Sequence, residues 1–322
     1  MLKASVIVPV KNPGAKFRMV MDALLGQQTL WDFEVLILDS GSNDGTLEYI
    51  ESISDSRVRV HRIDPTSFGH GRTRNLGVAM TSGQYAVFIT HDATPIDEKW
   101  LANMVATADS DPQIAGVFGR HIAYPDADPF TARELELHFA GFDAWAIASL
   151  DDPIRYKNDE AYRQVLHFFS DNNALVRRSV WGRIPYPDVE FAEDQIWARN
   201  IIEAGYKKAY ARDAVVMHSH NYGLFERLQR SFDEAGAFRR LFGYMLCQNL
   251  RSFACSWFAL TRRDMAYVYA EGLYRSHTRA VLRAPLDNFM RLLGHYLGTH
   301  ESRLPEWLRQ RLSRDKQLMM RR

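Results

Sequence analysis

Two acidic sites about a hundred residues apart carry the chemistry that this chain can do. Phe191-Ala192-Glu193-Asp194-Gln195-Ile196-Trp197 sets adjacent carboxylates just before an apolar segment, residues 196–202, that reads as a helix. Thr90-His91-Asp92-Ala93 ends an apolar, strand-like run upstream. A carboxylate at a strand end suits a metal ion and a diphosphate. One at a helix start can deprotonate a hydroxyl nucleophile. Metal-assisted transfer from a nucleotide-activated donor needs that division of labour.

Other residues fit the same chemistry, each beside a plainer reading. Asp39 follows four apolar residues and opens the turn-rich loop Ser40-Gly41-Ser42-Asn43-Asp44-Gly45. A carboxylate there can accept the imide N–H of a uracil or thymine base, while Asp44 reads as the cap of a helix from residue 46. In Gly69-His70-Gly71-Arg72-Thr73-Arg74-Asn75 the glycines permit close backbone approach and the arginines suit phosphate oxygens. The following helix start adds partial positive charge; the alternative is a solvated turn. One carboxylate, Asp92, plus substrate phosphates is a normal setting for Mg²⁺ or Mn²⁺. His218 and His220 stand two apart and so share one face of a strand. Imidazole suits Mn²⁺ better than Mg²⁺, and the alternative is two satisfied strand-end histidines.

Elements that alternate in type must position these groups. Strands are expected over residues 4–10, 33–38, 58–63, 85–90, 114–122 and 214–217. Helical patterns cover residues 17–28, 46–53, 68–80 and 130–148, whereas 166–177 is mixed. Such alternation predicts a doubly wound, mostly parallel α/β sheet with ligands at the carboxyl ends of its strands. Asn12, Asp39 and Asp92 all fall there. From residue 224 helix formers dominate, interrupted by Pro285 and Pro305, which predicts a catalytic domain over 1–222 and a helical region over 223–322.

Composition sets the outer bounds. The 322 residues are 46% apolar and 25% charged, enough for a core in an ordinary soluble chain. Cys247 and Cys255 fit no zinc spacing or disulfide framework, and Met1-Leu2-Lys3-Ala4-Ser5 runs straight into a strand. A cytoplasmic protein without a signal peptide is the expectation. The net charge of +1 divides into −8 over residues 1–220 and +9 over 221–322. A basic layer packed on the acidic part is one reading; a surface for anionic lipid or a lipid-linked diphosphate is the other. In residues 304–322, Leu304, Trp307, Leu308 and Leu312 form a helical stripe with most arginines off it. That stripe suits the inner face of the cytoplasmic membrane, the protein's own helices or a second copy of the chain.

Together these motifs resemble the family-2 glycosyltransferases, inverting enzymes of the glycosyltransferase A fold. Ser5-Val6-Ile7-Val8-Pro9-Val10-Lys11-Asn12 looks like the family's first strand, and Leu38-Asp39-Ser40-Gly41 opens what looks like its base- and ribose-binding loop. Arg74-Asn75-Leu76-Gly77 is similar to its Arg-Asn-x-Gly helix start. Thr90-His91-Asp92 takes the place of its Asp-x-Asp metal motif, with Thr90 replacing the first acid. Glu193-Asp194 takes that of its general base, with Asp194 as the base. The resemblance implies a donor set of Pro9, Val10, Asn12, Asp39, Ser40, Gly71, Arg72, Arg74, Asn75, His91 and Asn173. It implies a Mg²⁺ or Mn²⁺ site of Asp92, His218 and His220. The 68–75 and 218–222 motifs look most like bacterial rhamnosyltransferases of O-antigen and capsule assembly, which implies dTDP-L-rhamnose as donor. The implied acceptor is a glycan or lipid-linked saccharide, and no nucleic acid is implied. Another UDP- or dTDP-sugar is the alternative donor. A sugar nucleotidyltransferase, or a glycan-binding protein on an inactive transferase fold, is the rival class.

Overall fold

The computed structural model describes residues 2–314. Lys316, Leu318, Met319, Met320, Arg321 and Arg322, the end of the basic 304–322 segment that carries the expected stripe, lie outside the described residues. The chain forms two compact units. One comprises Met1–Tyr124 with Leu135–Ser219, the other Pro125–Glu134 with His220–Arg322. The short segment Pro125–Glu134 therefore goes with the helical part of the chain, which no local composition signal announces.

The first unit is built on nine strands: β1 (Ala4–Val10), β2 (Phe33–Asp39), β3 (Val58–Arg62), β4 (Tyr85–Ile89), β5 (Thr94–Pro95), β6 (Ile114–Ile122), β7 (Ile147–Ala148), β8 (Asn173–Arg177) and β9 (Lys207–Met217). Their order is β3-β2-β1-β4-β8-β6-β9-β5, with β7 on β9. β2 and β4 are buried throughout, as apolar runs covered on both faces must be. The pairs β1/β2, β1/β4, β2/β3 and β6/β9 are parallel. β8 runs antiparallel between β4 and β6, so the sheet is mixed rather than mostly parallel. β9 begins at Lys207, well before residue 214. Its apolar pattern is masked by Lys207-Lys208 and Arg212-Asp213. Lys208 is buried and donates to the carbonyls of Val165 and Phe168.

One irregularity opens the sheet where a ligand would enter. β1 stays paired with β2 as far as Val10 and Asp39, but its ladder with β4 stops at Ile7 and Phe88. Pro9 lies beyond that last rung, where its missing N–H takes nothing from the β4 ladder. The strand order also reverses between β1 and β4, so the crevice at their carboxyl ends is a topological switch point.

The second unit is helical, chiefly Leu224–Phe242, Leu250–Ala270, Thr278–Thr299 and Glu306–Leu312. Gly294 and Gly298 let Thr278–Thr299 come close to Leu224–Phe242. A Cβ on either would collide with the Leu228 or Phe232 carbonyl oxygen. Pro285 does not interrupt its helix, contrary to the sequence expectation; Thr278–Thr299 runs through it, and the Pro285 carbonyl accepts the Trp257 indole N–H at 2.9 Å. Among the described residues no helix is long and apolar enough to cross a membrane. Leu304, Leu308 and Leu312 of the C-terminal stripe pack on Leu228 and Phe232, so the unit's own helices take up most of it. Leu312 is 7% exposed while Trp307 is 65% exposed. Leu312→Ala is therefore expected to destabilise the second unit by roughly 2 kcal/mol or more. Trp307→Ala should change stability by no more than about 0.5 kcal/mol. Urea unfolding followed by far-UV circular dichroism measures both, and equal effects would mean that the stripe is not docked.

Candidate active site

The helix His70–Ala79 is the hub of the site. Gly77 packs against Ile7 and Leu38 of the sheet, and a Cβ there would stand 2.5 Å from Ile7 Cγ2. Gly71 meets the Pro187 carbonyl so closely that any side chain would clash. Asn75 accepts from the Trp181 indole at 2.7 Å and the Tyr186 amide at 3.1 Å, and donates to the Tyr186 carbonyl at 2.9 Å. Three polar atoms thus tie residues 181–186 to one side chain. Arg72 is exposed and pairs with Asp188 at 3.0 Å.

Arg74 has a different position from the one its motif suggested. It is buried, with Nε 3.0 Å from Asp171 Oδ2 in an ion pair and Nη1 hydrogen-bonded to Glu193. Both carboxylates raise its pKa against the opposing effect of burial, so the guanidinium stays charged. A guanidinium committed to two buried acids cannot also embrace a diphosphate. Asp171 accepts the Tyr186 hydroxyl at 2.7 Å, and Tyr186 is itself stacked on Trp197 at 5.3 Å.

Asp194 sits beside this network at the start of the helix Glu193–Glu203. Its Oδ2 lies 3.4 Å from the Asp171 amide and its Oδ1 2.8 Å from the Gln195 amide. Burial pushes its pKa well up, and the Glu193 and Asp171 carboxylates push it further against the pull of Arg74. Burial likewise raises Asp171 to about 6, with Arg74 opposing and Glu193 adding to the rise. Three carboxylates around one guanidinium cannot all ionise cheaply, so a proton is readily held here. Asp194, half-buried where Asp171 and Glu193 are buried, is the acid of the three most open to a substrate. Ala192 just before it has φ +56°, and Asn12 has φ +45°; among the described residues these are the non-glycine positions in the left-handed region. Such strain costs on the order of 1–3 kcal/mol and clusters at functional sites.

The strand-end loops are stitched together. Asn12 donates its amide to Ser42 Oγ at 2.9 Å and accepts the Asn43 amide at 2.8 Å. Asp39 is buried and accepts the Gly41 and Ser42 amides at 3.1 and 3.2 Å, which closes its own turn. Ser40 Oγ donates to the Val10 carbonyl at 3.1 Å. Pro9 and Val10 line the end of β1, Val10 with its side chain in the core. Beyond β4, His91 is half-buried, and Asp92 Oδ1 lies 3.6 Å from His218 Nε2. That is too long for a hydrogen bond but close to the spacing of two neighbouring ligands on one ion. The pair is a candidate metal site. His220 is the first residue of the second unit, where its ring stacks on Tyr222 at 5.4 Å.

Three residues of the expected donor set have other work. Arg74 holds the acids and Asn75 holds residues 181–186, as above. Asn173 is buried, donates to the Ala214 carbonyl at 2.9 Å and the Arg120 carbonyl at 3.3 Å, and accepts the Trp100 indole at 2.8 Å. It ties β8 to its neighbours. Conversely, Asp171 and Tyr186 join the site without having been assigned a role from sequence. Their partners on the helix His70–Ala79 lie about a hundred residues away in the chain, and nothing in the local pattern marks them.

Comparison with known proteins agrees with this geometry. Residues 5–184 match the family described as Glycosyl transferase family 2. The chain is 34% identical to the O-antigen chain rhamnosyltransferase RfbN of Salmonella typhimurium, over 94% of this chain and 92% of that one. It is 30% identical to the O-antigen chain rhamnosyltransferase WbaN of Salmonella anatum, over 94% and 90%. Among solved structures, the mannosyltransferase PcManGT from Pyrobaculum calidifontis, in complex with GDP-Man and Mn²⁺, superposes with a TM-score of 0.61 at 16% identity, covering 94% of this chain and 88% of that one. S. aureus TarS 1-349 in complex with UDP-GlcNAc gives 0.54 at 17% identity, covering 92% and 91%. These neighbours establish the glycosyltransferase A fold.

The structural place of Asn173 has a measurable consequence. Asn173→Ala strands the Trp100 indole N–H and two carbonyls in the core. It should destabilise the first unit by roughly 2–4 kcal/mol, since each orphaned buried group costs ~1–3 kcal/mol. Nucleotide affinity of the protein that remains folded should stay within a few-fold of wild type. Chemical denaturation and calorimetry read the two quantities separately, and a large affinity loss without a stability loss would return Asn173 to the donor set.

Proposed function

The chain belongs to glycosyl transferase family 2, and on that premise we propose that it transfers a sugar, with inversion, to a hydroxyl of a bacterial surface-polysaccharide precursor. The donor proposed is dTDP-L-rhamnose, in line with the two O-antigen rhamnosyltransferases that it resembles over nearly its whole length. The observation that carries the reading is Asp194, a half-buried carboxylate held beside a buried network, with a pKa raised well above the ordinary range. A carboxylate of raised pKa is a better proton acceptor for a hydroxyl than an ordinary one.

The acceptor O–H proton passes to Asp194 as its oxygen attacks the anomeric carbon. The bond from that carbon to the diphosphate breaks, and its electron pair leaves with the nucleoside diphosphate. A single in-line displacement of this kind inverts the anomeric centre. Arg74 holds Asp171 and Glu193 in place, and burial together with those two carboxylates keeps the proton affinity of Asp194 high. The loops carrying Asn12, Asp39 and Ser40 would cradle the base and ribose, and Gly71, Arg72 and His91 would lie along the phosphates. Asp92 and His218 would hold Mg²⁺ or Mn²⁺, with His220, two residues along the chain, as the third ligand. Such an ion would supply positive charge to the departing diphosphate. Asp92 is the single carboxylate of that set, so affinity for the ion would depend on the donor phosphates.

Asp194→Asn keeps the shape of the side chain but cannot take the proton. Turnover should fall by about 10²–10⁴-fold with nucleotide affinity nearly unchanged; a few-fold loss would place the base elsewhere. The base works only when deprotonated, so activity is lost as pH falls through the pKa of Asp194. Asp171→Asn removes one of the charges that raise that pKa, and the acidic limb of the pH–rate profile should move to lower pH. An unmoved limb would uncouple Asp171 from the base.

The ion has its own test. Chelation should abolish release of nucleoside diphosphate, and Mn²⁺ or Mg²⁺ should restore it. His218→Ala should raise the metal concentration needed for half-maximal recovery. Full activity in chelator would remove the ion from the mechanism, and release of pyrophosphate would point to a nucleotidyltransferase instead.

A further inference from the structure

A cleft of about 950 Å³ lies wholly within the second unit, among Pro125–Glu134, residues 221–222 and the helices Leu250–Ala270 and Thr278–Thr299. Five arginines and five carboxylates line it, so its formal charge is balanced, although the region from residue 221 onward carries a net +9. Most of the cations are already matched. Arg283 pairs with Asp287 at 2.9 Å, Arg291 with Glu134, and Arg263 with Asp264 at 3.1 Å. Asp264 and Asn288 are buried and joined by a 2.7 Å hydrogen bond. Arg279 is exposed and has no partner among the described residues.

That pattern selects a ligand chemistry. A phosphate or diphosphate would meet as many carboxylates as guanidiniums and gain little net attraction. An apolar ligand would strand the polar walls. A neutral polyhydroxylated ligand suits them, because each hydroxyl is both donor and acceptor. Guanidinium N–H groups and carboxylate oxygens can then be used side by side without a change in net charge. Phe130 and Tyr222 also line the cleft. The volume is at the large end for a bound small molecule, which fits several sugar rings better than one. We propose that this cleft is a saccharide site, and that it takes the neutral oligosaccharide portion of the acceptor. The acceptor assignment rests on the transferase reading above. The saccharide chemistry does not.

The full chain is tested by saturation-transfer NMR against neutral tri- and tetrasaccharides of L-rhamnose, D-galactose, D-mannose and D-glucose, with inorganic pyrophosphate as the anionic comparison. At least one saccharide should bind without nucleotide. Arg279→Ala, an exposed change that should not disturb folding, and Arg263→Gln should each weaken it about fivefold or more, the equivalent of one lost hydrogen bond. In the transfer assay the same variants should raise the acceptor KM and leave donor hydrolysis unchanged. No saccharide binding, binding indifferent to both substitutions, or tighter binding of pyrophosphate would each overturn the site. Wild-type protein that binds saccharide but neither hydrolyses nor transfers the donor sugar would count against the transferase reading alone.

Discussion

The first unit is organised around one buried guanidinium. Arg74 lies between Asp171 and Glu193 and so pins three stretches of chain, from the helix His70–Ala79, the approach to β8 and the helix Glu193–Glu203. Removing one partner from such a group leaves an uncompensated buried charge at a cost of about 3–5 kcal/mol. The pairing is also asymmetric, with more negative than positive charge once Asp194 is counted. Burial raises the proton affinity of Asp171 and Asp194, and the excess negative charge adds to that rise. Structural cohesion and a poised base are two consequences of the same arrangement.

Around that anchor the backbone is shaped to leave room. The sheet parts between the ends of β1 and β4, where Pro9 follows the last shared rung. Asn12 stands at the end of β1 with positive φ, and Ala192 ends the approach to Asp194 in the same conformation. Two strained residues, far apart in sequence, thus both abut groups assigned to the chemistry. The loops between them are held by side chain to backbone hydrogen bonds from Asn12, Asp39 and Ser40, so the rim is preorganised.

Several arginines of the second unit are paired with acids of that same unit. Arg240 pairs with Glu301, Arg314 with Glu226 at 2.8 Å and Arg291 with Glu134. Its apolar stripe is likewise turned inward at Leu304, Leu308 and Leu312. Beside its basic surface the unit carries a charge-balanced cleft, a different kind of surface from the one that composition suggests.

Features with a local cause were legible in the chain. β-branched runs such as residues 5–8 and 35–38 make strands wherever they are buried, and Glu193-Asp194 ahead of an apolar helix is visible without any fold. The glycines of residues 69–77 announced close approach, although not that the partners would be Pro187, Ile7 and Leu38. Tertiary structure alone decided the rest. It made β8 an antiparallel insertion, gave Arg74, Asn75 and Asn173 partners that tie distant segments together, buried Lys208 under two carbonyls and recruited Asp171 and Tyr186. The reason is physical. An arginine or asparagine has the same pattern in sequence whether its donors meet a phosphate or a buried carboxylate about a hundred residues away, and only packing brings one of those partners within reach.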